Sequence, residues 1–191
     1  MMTQTHLIFG MAAFGRPENA KVTTAALVGS MIPDFSLYAM AIWHLQVLGT
    51  PPSVVFDQLY FSEAWQSIFR IDNSIVLWSI AIGVAIMMKS KVAFALCAGA
   101  LLHLWLDFPL HHDDGRAHFW PISTWIFESP VSYWDDRHYG NIVGPLEVLL
   151  SLAACIYMFR RWTGWKMRVF IGFLTAIQTA ALVANIVRMT S

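Results

Sequence analysis

The sequence predicts an all-α, polytopic integral membrane helix bundle with about five to six membrane-embedded segments, including a short N-terminal αα-hairpin. Three observations carry this. Of 191 residues, 57% are hydrophobic and 13% charged, about half the charge of an ordinary soluble domain. Mean hydropathy is +0.55. Nine Trp and thirteen Phe suit a chain that lines its membrane interfaces with aromatics. The length fits one domain, residues 1–191. Twelve Lys and Arg balance twelve Asp and Glu, so no nucleic-acid surface is expected. Cys97 and Cys155 lie in apolar runs and form no CxxC pair, disulfide framework or zinc knuckle.

A crossing helix needs about 20 apolar residues, fewer where it stops short or the bilayer thins. A short apolar run, 7–14, opens the chain, too short and without the preceding Lys or Arg of a signal peptide. Long runs follow at 22–48, 74–88, 92–110, 142–159 and 169–187. The first holds Pro33-Asp34 near its middle. Proline removes a backbone donor and clashes with the preceding turn, and a carboxylate near mid-bilayer is costly. A short helix over 22–32 ending at Asp34 is therefore expected, with 35–48 turning into the interface through Tyr38, Trp43 and His44. Segment 53–70 has the apolar pattern of an interfacial amphipathic helix, or of a helix that caps the bundle. Trp120, Trp125, Tyr133, Trp134 and Tyr139 read as an interfacial belt.

Charge orients the bundle. Arg16, Lys21, Lys89, Lys91, Arg160, Arg161, Lys166 and Arg168 fall on connections of one side, against Arg70, Arg116, Arg137 and Arg188 on the other. The positive-inside rule puts the basic turns, with Lys89 and Gly164, in the cytoplasm. Segment 49–73, loop 111–141, Ser132 and the C-terminal Ser191 then face the periplasm, across a bacterial inner membrane.

Ligand-type side chains cluster in one place. His103, Asp107, His111, His112, Asp113, Asp114 and His118 fall within sixteen residues. His103 and Asp107 share a helix face at i, i+4, and His111 extends the stripe if the helix continues past Pro109. An imidazole and a carboxylate one turn apart can chelate Zn²⁺, Mn²⁺ or Fe²⁺, or can simply hydrogen-bond to each other. The hairpin brings His6 and Asp34 to similar depth at its open end, with Asn73 at the same level. Taken alone, His6 is only a terminal histidine. Glu147, in an apolar helix past Gly144-Pro145, reads equally as a base or partner to a ligand histidine and as a buried structural acid. Asp135, Asp136, Arg137 and His138 read as a solvated loop with a local ion pair. The chain has no GxSxG elbow, HExxH, P-loop or GxGxxG.

Thr5-His6-Leu7-Ile8-Phe9-Gly10, Met31-Ile32-Pro33-Asp34, His103-Leu104-Trp105-Leu106-Asp107 and Phe119-Trp120-Pro121 resemble, in order and spacing, the family of bacterial membrane-bound metal-dependent hydrolases. That family includes LexA-regulated inner-membrane proteins and is distantly similar to zinc-dependent phospholipases. The resemblance covers roughly the first 125 residues. It implies His6, Asp34, His103 and Asp107 as ligands of a divalent metal ion, zinc by the phospholipase likeness. Two positions depart from the family pattern: Ser36 stands where a second acid is usual, and Asn73 where a histidine is usual. Fewer metals, recruitment of His111, His112 or His118, or an inactive site would each follow from that.

The expected function is metal-dependent hydrolysis of a lipid-like ester or phosphoester at the outer face of the membrane, with membrane lipids as partners. His6, Asp34, His103, Asp107 and His111 hold the metal in this reading, and Asp114 or His118 serves as acid or base. Two other readings stay open: a small transporter or ion pathway, and an assembly protein with a vestigial site.

Overall fold

Helix α1 (Thr3–Phe14) and helix α2 (Ala20–Ile42) form an antiparallel hairpin closed by Asn19, whose side chain caps α2 by accepting from the Val22 N–H. The computed structural model describes residues 1–190. It is helical, with no strand among the described residues. After α2 the chain passes through α3 (Pro52–Val54), α4 (Glu63–Asp72), α5 (Ile75–Met87), α6 (Lys91–Asp107), α7 (Gly140–Arg161) and α8 (Trp165–Thr190). Ser62, Ser74 and Ser90 cap α4, α5 and α6 through their hydroxyls. Three segments are long and apolar enough to cross a membrane: Ala20–Val47, Glu63–Met87 and Gly140–Arg161. Helix α6, with 17 residues, and α1, with 12, are shorter.

Small residues set the centre of the bundle. A Cβ at Gly29 would stand 1.9 Å from the Leu96 carbonyl oxygen, and one at Gly99 would stand 2.7 Å from the Ala26 oxygen. Helices α2 and α6 thus touch through their backbones, as small-residue faces permit. Ala25, Ala26, Val22 and Ala95 fill the rest of that seam. On the far side of α1, Ile8 and Met11 pack with Cys155, Met158, Ile171 and Leu174 of α7 and α8. Gln178 donates to both Thr5 (2.8 Å) and Ser151 (2.5 Å), tying three helices together in the core.

The expected break at Pro33 does not occur. Helix α2 runs through the proline to Ile42 and ends in a π-turn, Trp43–Val47. Other segments supply donors around the proline: His103 Nδ1 lies 2.8 Å from the Ser30 oxygen, and Asn73 Nδ2 donates to the Pro33 oxygen at 3.1 Å. Side-chain donors of this kind let an embedded helix tolerate proline. The Tyr38 hydroxyl meets that of Thr3 on α1.

Segment 53–70 is not one helix. It is α3 with a π-turn, Val55–Leu59, followed by α4. Trp65 and Phe69 of α4 are buried with Ala41, Val55 and Tyr60, so this region caps the bundle beside α2. Helix α6 ends at Asp107 instead of continuing past Pro109.

The turns after α1, α5 and α7 lie together at one end. Arg16 shares a hollow with Lys89 and Lys91, and another with Gly164 and Lys166. The 108–139 loop covers the opposite end, where α6 terminates. Ser191 and the Arg188 side chain, which the sequence reading places on that side, lie outside the described residues.

The backbone contact at Gly29 predicts a sharp size limit. Gly29→Leu should destabilise the detergent-solubilised protein by more than the about 1–3 kcal/mol of an ordinary overpacked site, because a backbone oxygen stands in the way. Thermal unfolding compared with Gly83→Leu, a glycine with open space around it, checks this. The Gly83 variant should melt like the wild type.

Candidate metal centre

Asp107, the last residue of α6, collects the polar groups of three segments. His6 Nε2, one turn into α1, lies 3.0 Å from Asp107 Oδ1. His103 Nε2, one turn back along α6, lies 3.1 Å from Oδ2. His111 Nε2, just past the helix, lies 3.4 Å from the same oxygen. It gets there by a turn, in which the Leu110 N–H bonds to the Asp107 carbonyl, and not by an extended helical stripe. The amino group of Met1 also meets Oδ1. His6 and His103 stack face to face with ring centres 3.6 Å apart. Both rings are buried, because they sit in the small-residue seam where α1, α2 and α6 approach most closely.

His6, His103 and Asp107 form a buried group that could hold a metal ion, with ligand atoms within 4.8 Å of one another. The fit goes beyond proximity. Both ring nitrogens of His6, Nε2 of His103 and both nitrogens of His111 are buried without a hydrogen-bond partner. The three Nε2 atoms stand 3.0, 3.1 and 3.4 Å from Asp107. Unsatisfied buried polar atoms are costly, and a shared cation would satisfy one nitrogen of each ring. The Nδ1 of His103 is already fixed by the Ser30 oxygen, which leaves Nε2 for a ligand, the usual way a second hydrogen bond orients a metal-binding imidazole.

The other candidate residues surround this group. Asp34 Oδ1 lies 3.7 Å from His103 Nε2, and its Oδ2 accepts from Thr3. Asp114 Oδ1 lies 2.9 Å from His111 Nδ1, and Trp134 donates to its other oxygen. His118 is buried with Nδ1 3.0 Å from the Asn73 oxygen. Asp34, Asp107, His111, Asp114, His118 and Asn73 all line one cavity of about 110 Å³. His112 does not join them. It stacks on His138 and holds the Ser129 oxygen.

Burial pushes the His111 imidazole down, but Asp107 and Asp114 outweigh it and hold the ring above its ordinary value. Burial pushes the Asp114 carboxyl up, and His111 outweighs that in turn. His118 has no such carboxylate beside it, and burial lowers it to about 4. It is a neutral imidazole at pH 7.

Several wall residues carry no distinguishing sequence signal. Thr3, Tyr38, Tyr60 and Tyr133 line the cavity, yet each is one hydroxyl or aromatic among many. Tyr133 lines the cavity and Trp134 donates to Asp114 from its rim. Arg116, which the sequence offers only as an outer-side cation, is a buried member of the lining. Glu147 touches no histidine; its Oε1 accepts from the Met2 N–H at 2.7 Å, so it anchors the start of α1. Asp135 is buried, against the expectation of a solvated loop. It does form the local ion pair, with Arg137 at 2.8 Å, and it lies 3.1 Å from His138.

No protein-family model, curated protein or solved structure matches the chain.

The His118 environment predicts a pH dependence. The unfolded imidazole titrates near 6.5 and the folded one near 4, so between these values the unfolded state binds the extra proton. Stability should fall as pH drops from 6.5 to 4, by about 3 kcal/mol. His118→Asn should flatten that part of the profile, measured by unfolding in detergent across this window.

Proposed function

We propose that this chain is a membrane-bound metal-dependent hydrolase acting on a lipid-like ester or phosphoester, embedded through five to six segments in a bacterial inner membrane with its site on the periplasmic side. The observation that carries the reading is the set of unsatisfied imidazole nitrogens around Asp107. The motifs His6, Pro33-Asp34 and His103-x-x-x-Asp107 support membership of the membrane-bound metal-dependent hydrolase family. The two-histidine, carboxylate composition favours zinc. A bound divalent ion supplies Lewis-acid polarisation and lowers the pKa of bound water.

The chain's own residues do the rest. His6, His103 and Asp107 form the core of the ligand set, with Asp34 and His111 as flanking ligands. His118 serves as acid or base at the cavity wall, and Asp114, held by Trp134 beside His111, orients that side of the site. An apolar groove of about 660 Å³ opens beside Met1 and Glu147, walled by Phe9, Leu102, Leu106 and Leu150. Its position next to the polar cluster supports a substrate with a hydrocarbon part.

Asp107→Asn tests the metal assignment. If Asp107 only hydrogen-bonds, the change costs about 1 kcal/mol or less. If its charge holds a divalent ion, metal affinity should fall by more than the roughly 10–100-fold typical of a lost supporting group. Elemental analysis and melting with and without chelator decide between these. Wild type should melt lower with chelator and the variant should not respond; equal metal content in both would sink the assignment.

Orientation has a separate test. Cysteines at Lys89 and Gly164 should resist an impermeant thiol reagent in intact cells, and one at the exposed Thr124 should react, in a background lacking Cys97 and Cys155. The reverse pattern would invert the topology. Ser132 is unsuitable as a marker because it is buried.

A further inference from the structure

Arg116 is a buried cation that shares its cavity with carboxylates but pairs with none of them directly. Only 8% of it is exposed, Nε and Nη1 have no hydrogen-bond partner, and it makes no salt bridge among the described residues. Buried N–H groups of a guanidinium left without acceptors are costly to a fold. The guanidinium lies over the Phe69 ring, 4.0 Å from its centre, with Tyr60 at 5.1 Å. Stacking holds a guanidinium by its face and leaves the in-plane N–H groups free. Arg116 lines the same cavity as Asp34, Asp107, Asp114 and His118.

We propose that Arg116 receives a phosphate group of the substrate beside the metal centre, which makes the substrate a phosphoester. This rests on the metal-dependent hydrolase reading above. A guanidinium edge, Nη2 with either Nε or Nη1, presents two parallel N–H donors that match two oxygens of a phosphate. The cavity, about 110 Å³, has the volume of roughly four waters. Beside the apolar groove of about 660 Å³ it is the small polar compartment, suited to the headgroup end of a substrate and not to its hydrocarbon part. The lining side chains also set a condition. Three carboxylates, Asp34, Asp107 and Asp114, face one guanidinium, so an anion gains entry only where a cation offsets those carboxylates. Phosphate binding should therefore depend on Arg116 and on the metal together. The phosphate can belong to a lipid headgroup or to a soluble ion, and the two differ in what else they bring.

The test is calorimetric titration of inorganic phosphate into zinc-loaded, detergent-purified protein. Wild type, Arg116→Met and Arg116→Lys are compared, with zinc content and melting temperature recorded for each. Saturable binding to wild type is expected, weaker by about tenfold or more in Arg116→Met, which lacks the bidentate charge-assisted bonds. Arg116→Lys keeps the charge and the apolar stem but loses the fork. It should also bind more weakly, and it decides the question if the Met variant fails to fold. Zinc content should be equal in all three. No saturable phosphate binding to wild type, or unchanged affinity in every variant that folds, overturns the proposal. If wild type holds no zinc, the metal reading fails on that measurement alone. The phosphate site, which needs the cation, then falls with it, whereas zinc retained without saturable phosphate binding overturns the phosphate site alone. Competition by short-chain phosphatidic acid and by the matching diacylglycerol identifies the source. Displacement by phosphatidic acid well below the phosphate concentration needed supports a lipid headgroup. Equal potency of phosphatidic acid and phosphate supports a soluble phosphate ligand.

Discussion

A buried carboxylate in an apolar bundle needs partners, and the need of Asp107 organises one end of this protein. Its oxygens face His6 from α1, His103 from its own helix and His111 from the following turn. Each partner arrives by a different constraint. His103 is fixed by the i, i+4 spacing of α6. His6 depends on the close approach of α1 to α2 and α6, where a Cβ at Gly10 would strike Ser30. His111 depends on the turn that ends α6 short of Pro109. Bulk at Gly10, Gly29 or Gly99 would act on the centre through helix separation, without touching a ligand.

The proline in α2 belongs to the same arrangement. Proline at position 33 cannot donate to the preceding turn, and two residues of the site supply donors beside it. His103 reaches the Ser30 oxygen and Asn73 reaches the Pro33 oxygen. The bond from His103 also fixes its ring so that Nε2 faces Asp107 and Asp34. Helix continuity and ligand orientation are thus served by one contact, and Asp34 is carried to the centre by a helix that did not stop. Asn73 extends the chain of contacts, because its own carbonyl meets His118 Nδ1.

The helical class and the hairpin were legible because apolar run length and basic turns are one-dimensional signals. The grouping of His6, His103 and Asp107 was legible because the i, i+4 spacing puts His103 and Asp107 on one helix face and the hairpin puts His6 at its open end. The continuation of α2 through Pro33 was not, since the donors that permit it come from residues 40 and 70 positions away. Nor was the division of segment 53–70, where the Ser62 cap and the burial of Trp65 and Phe69 outweigh a continuous amphipathic pattern. Arg116 was the largest omission. In sequence it is a loop cation after Asp113-Asp114-Gly115, like many solvated ones. Its burial over Phe69 depends on α4 folding down as a cap, which no local pattern announces.

The distribution of polarity bears on the choice between hydrolysis and transport. A conducting path through a bundle needs ionisable or polar groups at successive depths. Beyond His6, α1 continues as Leu7-Ile8-Phe9-Gly10-Met11-Ala12-Ala13-Phe14, and α6 between Lys91 and His103 holds no acid, base or histidine. Helix α2 has none between Lys21 and Asp34. What fills the interior between the centre and the basic turns is the alanine and glycine seam on one side and the Ile8, Met11 and Met158 cluster on the other. Gln178, with Thr5 and Ser151, is a closed knot of hydrogen bonds beside α1. Along α1, α2 and α6 the titratable groups therefore gather at the end of α6, backed by packed apolar side chains and bordered by an apolar groove. That arrangement supports the proposed hydrolase over the transport reading.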